Sequence, residues 1–212
     1  MAQTRIKICG ITGPDDARLA AECGADAIGL VFYAKSPRAV TASQALECVK
    51  ALPPLVTVVA LFVNESAENI ERILDQVPID VLQFHGDETP EFCTQFGRPY
   101  LKALRVRSAD EIKSACETFR SAKAILLDAW VEGIRGGTGQ RFDWKMAQGS
   151  FSVPLVLAGG LNAENVGEAI ELINPAAVDV SGGVESAPGI KSAKSIEQFI
   201  AAVRSADLRL NR

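Results

Sequence analysis

Four residues stand where their types and spacing give chemistry. Cys9 closes the run RIKIC (5–9), immediately before Gly10, and Asp128 closes AILLD (124–128). His85 follows VLQF (81–84), and Gln83 two positions earlier shares its face of an extended segment. Arg38 follows Ser36-Pro37 in YAKSPRAV (33–40). A thiolate is a base or nucleophile. A carboxyl group serves as a general acid at neutral pH when burial or a neighbouring negative charge raises its pKa. An arginine fixed behind a proline suits bidentate carboxylate recognition. Each has a plainer reading. A lone cysteine is a small buried hydrophobe, an aspartate after a strand caps a helix, a single histidine forms a structural hydrogen bond, and Arg38 taken alone is a solvated surface residue.

Lys7 lies two positions before Cys9 and shares its strand face, one layer deeper. A buried ammonium needs a partner. Asp179, in the last of the strand-like runs, is the expected one.

Two glycine pairs close successive apolar runs. Gly159 and Gly160 stand in LAGGLN (157–162), and Gly182 and Gly183 in DVSGGVE (179–185). Either pair alone is ordinary turn chemistry. Together, at the ends of the last two strand-like units, they expose backbone N–H groups to an anion with no Cβ in the way. A phosphorylated small molecule is therefore the expected ligand. VESAPG (184–189) is expected to supply a short helix with its N-terminus toward the anion. A third glycine-rich stretch, IRGGTGQRFDW (134–144), is a lid or a surface connection, and composition does not separate the two.

The elements that must position these residues alternate along the chain. Strands are predicted at 5–9, 27–32, 56–62, 80–84, 100–104, 124–128, 154–158 and 176–180. Between them, PDDARLAAECG (14–24) has a proline start and a glycine stop. SAENIERILDQV (66–77) and NAENVGEAIELI (162–173) open on Ser66 and Asn162 as N-caps, and Ser108 with Glu111 matches a capping box. Strands alternating with helices dictate right-handed crossovers and a parallel sheet. Eight such units predict a single α/β domain over residues 1–212, a parallel eight-stranded (β/α)8 TIM barrel whose site lies at the carboxyl ends of its strands. A doubly wound open sheet is the alternative.

Composition removes several function classes. The chain has 212 residues, 48% of them hydrophobic, and a net charge of −4. With no basic run, no nucleic-acid partner is expected. No apolar stretch reaches membrane-spanning length, so no membrane partner is expected. MAQTRIKICG has no signal-peptide pattern. Five scattered cysteines without a C-x-x-C fit a reducing cytoplasm, and one histidine excludes a multi-histidine metal centre. Monomer and homodimer are equally compatible with the apolar helix faces.

Taken in order, KICG (7–10), FYAKSPR (32–38), LFVNE (61–65), QFHG (83–86), LLD (126–128), GGTGQRFDW (136–144), AGGLN (158–162) and DVSGGVE (179–185) resemble the phosphoribosylanthranilate isomerases of tryptophan biosynthesis. The resemblance spans nearly the whole chain. It implies a (β/α)8 barrel that works without a cofactor or metal, on N-(5-phosphoribosyl)anthranilate. It further implies Cys9 as general base, Asp128 as general acid, and Arg38 on the anthranilate carboxylate. The backbones at Gly159, Gly160, Gly182 and Gly183 would hold the phosphate, and His85 is a further candidate substrate contact. Gly182 departs from a serine common in that family. Two rivals are a Schiff-base aldolase using Lys102 and a phosphate-binding barrel without catalysis.

Overall fold

The computed structural model describes residues 3–105, 108–128 and 144–211. Eight parallel strands close into a barrel: β1 (Arg5–Cys9), β2 (Ala27–Val31), β3 (Thr57–Phe62), β4 (Val81–Phe84), β5 (Tyr100–Leu104), β6 (Ala124–Asp128), β7 (Leu155–Ala158) and β8 (Ala177–Val180). The predicted strands differ only by a residue at some ends. Closure is carried by β1 against β8, where Arg5 is opposite Ala177 and Lys7 opposite Asp179. The open-sheet alternative is therefore wrong.

Outside the barrel run α1 (Pro14–Glu22), α2 (Ala42–Lys50), α3 (Ala67–Gln76), α4 (Pro90–Thr94), α5 (Ala109–Thr118), α6 (Val166–Ile173) and α7 (Ala193–Arg209). Ser66 and Ser108 cap α3 and α5, accepting from the N–H groups of Asn69 and Glu111. Asn162 does not cap α6. Its side-chain oxygen accepts from the N–H groups of Glu164 and Asn165, so it closes a turn ahead of the helix, which starts at Val166. Between β6 and β7 the described chain holds only a 3-10 turn, Trp144–Ala147. The candidate lid at 134–144 lies outside the described residues except for Trp144, which is buried. None of the described helices is long and apolar enough to cross a membrane.

Strand faces sort the core into two layers. Ile6, Ile8, Ile28, Leu30, Phe62 and Phe84 point outward and pack beneath the helices. Leu101, Ala103, Ala124, Leu126, Val156 and Ala158 point inward and fill the barrel, where small residues suit the narrow axis. At its upper end Cys9, Val31 and Leu61 form a third cluster with Tyr33 and Val63. That cluster is the floor of the site.

Candidate active site

The carboxyl ends of the strands open on a cavity of 890 Å³. Its lining contains Cys9, Arg38, His85, Asp128, Gly159, Gly160, Gly182 and Gly183. Tyr33 and Arg105 also line it, and sequence reasoning missed both.

Below the floor, Lys7 Nζ donates to Asp179 Oδ1 at 2.8 Å, both side chains buried. Burial works against the Lys7 charge, but the Asp179 carboxylate and the Cys9 sulfur more than offset it and hold the lysine pKa above its ordinary value. Burial pushes the Cys9 thiol pKa up, and the Lys7 cation opposes that rise. Gly29 of β2 makes room for this stack. A Cβ there would sit 2.7 Å from Cys9 Sγ and 3.1 Å from Lys7 Cε.

Across the mouth, β6 presents Asp128, whose Oδ2 lies 3.2 Å from His85 Nε2. Gln83 Nε2 faces His85 Nδ1 at 3.5 Å. A general acid at this position needs burial or a nearby negative charge to raise its pKa. The structure places an imidazole there instead, on a carboxyl group that keeps a quarter of its surface exposed. Among the described residues, Gln83 Oε1 and Ser181 Oγ are buried without a hydrogen-bond partner. Orphaned polar atoms at a cavity wall are expected where a ligand completes the bonding.

The glycine pairs have different local causes. Gly159 and Gly160 take successive left-handed conformations, φ +77° and +66°, which side chains resist. Gly183 is needed for close approach, because a Cβ would come 1.9 Å from the Leu161 carbonyl oxygen. The loops after β7 and β8 thus meet backbone to backbone, and both line the cavity. VESAPG is not a helix. The short helical turn lies just upstream at Gly182–Val184, and the segment enters a hairpin, β9 (Glu185–Ala187) and β10 (Ile190–Lys191). Pro188 and Gly189 form its tip, a turn pair that outweighs the helical reading.

Arg38 is only 26% exposed in its side chain and is held by Glu185, so the solvated surface reading fails. Lys102, the aldolase candidate, is absent from the cavity lining. It points out of the barrel, donating to Glu88 Oε2 at 2.7 Å and the Gly86 carbonyl at 2.6 Å, with 2% exposure. No carbonyl substrate in the cavity reaches it there. Among the described residues no group of histidine, cysteine and carboxylate side chains is arranged to hold a metal.

Comparison with known proteins agrees along the chain. A profile of the N-(5'-phosphoribosyl)anthranilate (PRA) isomerase family matches residues 6–202. N-(5'-phosphoribosyl)anthranilate isomerase from Pseudomonas putida (strain GB-1) is 56% identical, covering 97% of this chain and 100% of the relative. The Pseudomonas fluorescens (strain SBW25) protein of the same name is 57% identical, covering 97% and 98%. The crystal structure of phosphoribosyl anthranilate isomerase from Thermotoga maritima superposes with a TM-score of 0.88 at 40% identity, over 96% of this chain and all of the other. A second structure of such an isomerase, in complex with reduced 1-(o-carboxyphenylamino)-1-deoxyribulose 5-phosphate, gives 0.84 at 39% identity, with the same coverage. With its barrel, its cavity and its full-length relatives in agreement, this chain belongs to the N-(5'-phosphoribosyl)anthranilate isomerase family.

Proposed function

We infer that this chain converts N-(5-phosphoribosyl)anthranilate to 1-(2-carboxyphenylamino)-1-deoxyribulose 5-phosphate by an acid–base Amadori rearrangement. One observation carries the reading: a single cavity gathers a thiol, a carboxyl group, an arginine fork and two glycine loops. The loops at Gly159–Gly160 and Gly182–Gly183 take the phosphate, and Arg38 takes the anthranilate carboxylate. These two anchors stretch the ribose between Cys9 and Asp128, which sit on strands across the mouth from one another.

Asp128 Oδ2 and His85 Nε2 stand 3.2 Å apart, close enough to pass a proton. The carboxyl group delivers it to the furanose ring oxygen as the ring opens to an iminium. His85, facing the same space, also contacts the substrate. Electrons from the C2–H bond then flow into the iminium, so the substrate is its own electron sink. Cys9 takes that C2 proton. Burial holds its thiol pKa above the ordinary value, so the reacting form is the thiolate fraction whose proton has already gone to solvent. The new cation joins Lys7 in stabilising the thiolate at the moment a base is required. The resulting enolamine tautomerises to the ketone. Each proton-transfer group contributes about 10²–10⁴-fold in rate.

The test mixes purified protein with freshly generated phosphoribosylanthranilate and follows loss of its fluorescence. Decay in wild type, with losses of about 10²–10⁴-fold in Cys9→Ser and Asp128→Asn, is the expected result. No decay in wild type, with ribose 5-phosphate still raising the melting temperature, would favour the non-catalytic barrel. Wild-type activity retained in either variant would reject that residue's role.

Five unpaired cysteines fit a cytoplasmic location. A homodimer is also part of this reading, since the T. maritima isomerase is described as dimeric. Here fully exposed Leu55 borders a 430 Å³ hollow, lined by Val59, Val81 and Val156, at the amino ends of the strands. Sedimentation of wild type and Leu55→Asp checks this, and monomer mass for both would reject it.

A further inference from the structure

Arg38 already grips a carboxylate before any substrate arrives. Its Nε donates to Glu185 Oε1 at 2.7 Å and its Nη2 to Oε2 at 2.6 Å. Glu185 is in turn held by a second cation. Lys191 Nζ donates to Glu185 Oε1 at 2.8 Å and to the Ser181 carbonyl at 3.3 Å. The Lys191 side chain has no exposed surface, and that of Glu185 has 5%. The hairpin carrying both is pinned to the loop after β1 and to the first turn of α1. The Lys191 N–H donates to Asp16 Oδ2 at 3.0 Å, and Thr12 Oγ1 donates to the Gly189 carbonyl at 2.7 Å. Gly10 clears the path of the arginine stem, since a Cβ there would meet Arg38 Cδ at 2.4 Å.

A buried carboxylate on a substrate-reading arginine either masks it or aims it. A guanidinium has five N–H donors in a rigid plane. Glu185 takes Nε–H and one Nη2–H, the side-on fork. The other Nη2–H and both Nη1 hydrogens remain, and among the described residues Nη1 has no partner. Those atoms are the end-on fork, which fits a second carboxylate. Charge decides whether that fork attracts one. An isolated Arg38–Glu185 pair is neutral and offers a second anion little. Lys191 returns the group to a net single positive charge in a setting with little water to screen it. It also fixes Glu185, and through Glu185 the guanidinium plane.

We propose that Lys191 is a specificity-determining positioning residue, acting through Glu185 to keep the end-on fork of Arg38 charged and aimed at the carboxylate of the aryl amine. The proposal rests on the reading of Arg38 as the carboxylate contact. It predicts that Lys191 governs selection between aryl amines with and without an ortho carboxylate, a choice made without any contact between Lys191 and substrate.

The test is competition between phosphoribosylanthranilate and phosphoribosylaniline, each formed in situ from ribose 5-phosphate and its amine, with both ketose products quantified. Their ratio gives the relative kcat/KM. In Lys191→Met and the milder Lys191→Gln, the preference for the carboxylated substrate is expected to fall about ten- to a hundredfold, the loss of a charged contact. The loss should appear in KM for the carboxylated substrate, with turnover of the aniline substrate nearly unchanged. Lys191→Arg should retain the preference. Arg38→Met separates the two claims. If it abolishes the preference while Lys191→Gln folds and keeps it, the inference about Lys191 is overturned. If Arg38→Met keeps the preference, the carboxylate reading of Arg38 itself has failed. Equal losses for both substrates in Lys191→Gln would assign Lys191 a structural role only and would also overturn the inference.

Discussion

Two buried lysine–carboxylate pairs divide the labour of this barrel. Lys7–Asp179 sits inside it, under the Cys9 sulfur, with side chains 6% and 8% exposed. Lys102–Glu88 sits outside it, between strands and helices, at 3% and 3%. Their ion-pair distances are 2.8 and 2.7 Å. Chemically they are near twins. What differs is the strand face, and with it the neighbours. The inner cation faces a thiol. In the outer pair Glu88 accepts from the N–H groups of Asn64 and Gly86, while Lys102 holds the Gly86 carbonyl. The outer pair therefore ties together the loops after β3 and β4, the second of which carries His85. One pair sets an electrostatic potential, and the other sets a backbone path.

That contrast can be broken, beginning with stability. Lys102→Met strands a buried carboxylate and should cost about 3–5 kcal/mol of folding free energy. Urea unfolding measures it, and the pH profile of the enzyme that remains folded should not move. Lys7→Met strands Asp179 in the same way, but it should also move the pH profile. A base must be deprotonated, so activity rises with pH toward the Cys9 pKa. Burial already pushes that pKa up and the Lys7 cation restrains it. Removing the cation therefore moves the limb further to alkaline pH, which a kcat/KM profile shows. An unmoved limb would make the two pairs alike. The contrast sharpens with Lys102→Met combined with Glu88→Leu. Removing both charges should recover most of the single variant's loss, because the stranded carboxylate is gone, though the loop ties stay broken. Smallest of all is Gly182→Ser. A Cβ there lies 3.5 Å from Arg38 Nη2, an ordinary contact. Melting should change by no more than the equivalent of about 0.5 kcal/mol.

The inner pair was legible before any coordinates, and the outer pair was not. Period-two alternation places Lys7 beside Cys9, and barrel closure brings β8 to β1, so Asp179 follows. On β5 the same logic stalls. Both faces of a strand in a parallel barrel are buried, so alternation does not say whether Lys102 or its neighbours Leu101 and Ala103 turn inward. Packing decides. The small side chains fill the narrow interior, and the lysine crosses into the helix layer, where Glu88 waits. The Arg38–Glu185–Lys191 chain was invisible for a different reason. It depends on a hairpin whose acidic start and Pro188 read as a helix opening, and on contacts between opposite ends of the sequence. Cys9, Asp128 and the glycine pairs, which line the cavity, stood out because strand ends and glycine pairs are local signals, whereas Arg38 stood out only through the family resemblance. Tyr33 and Arg105 carry no such signal.

The ties that shape the site have a temporal consequence. Thr4 bonds to Asp207 across 203 residues, Lys7 to Asp179 across 172, and Arg38 to Glu185 across 147. During synthesis Cys9 and Arg38 leave the ribosome long before Asp179 and Glu185 do. The growing chain thus carries its thiol and its arginine without the groups that tune and orient them. Such distant pairings lengthen the search for the native topology. The barrel's final strand is then also the step that switches the site on, so an incompletely translated chain should hold phosphosugar poorly and leave it unreacted.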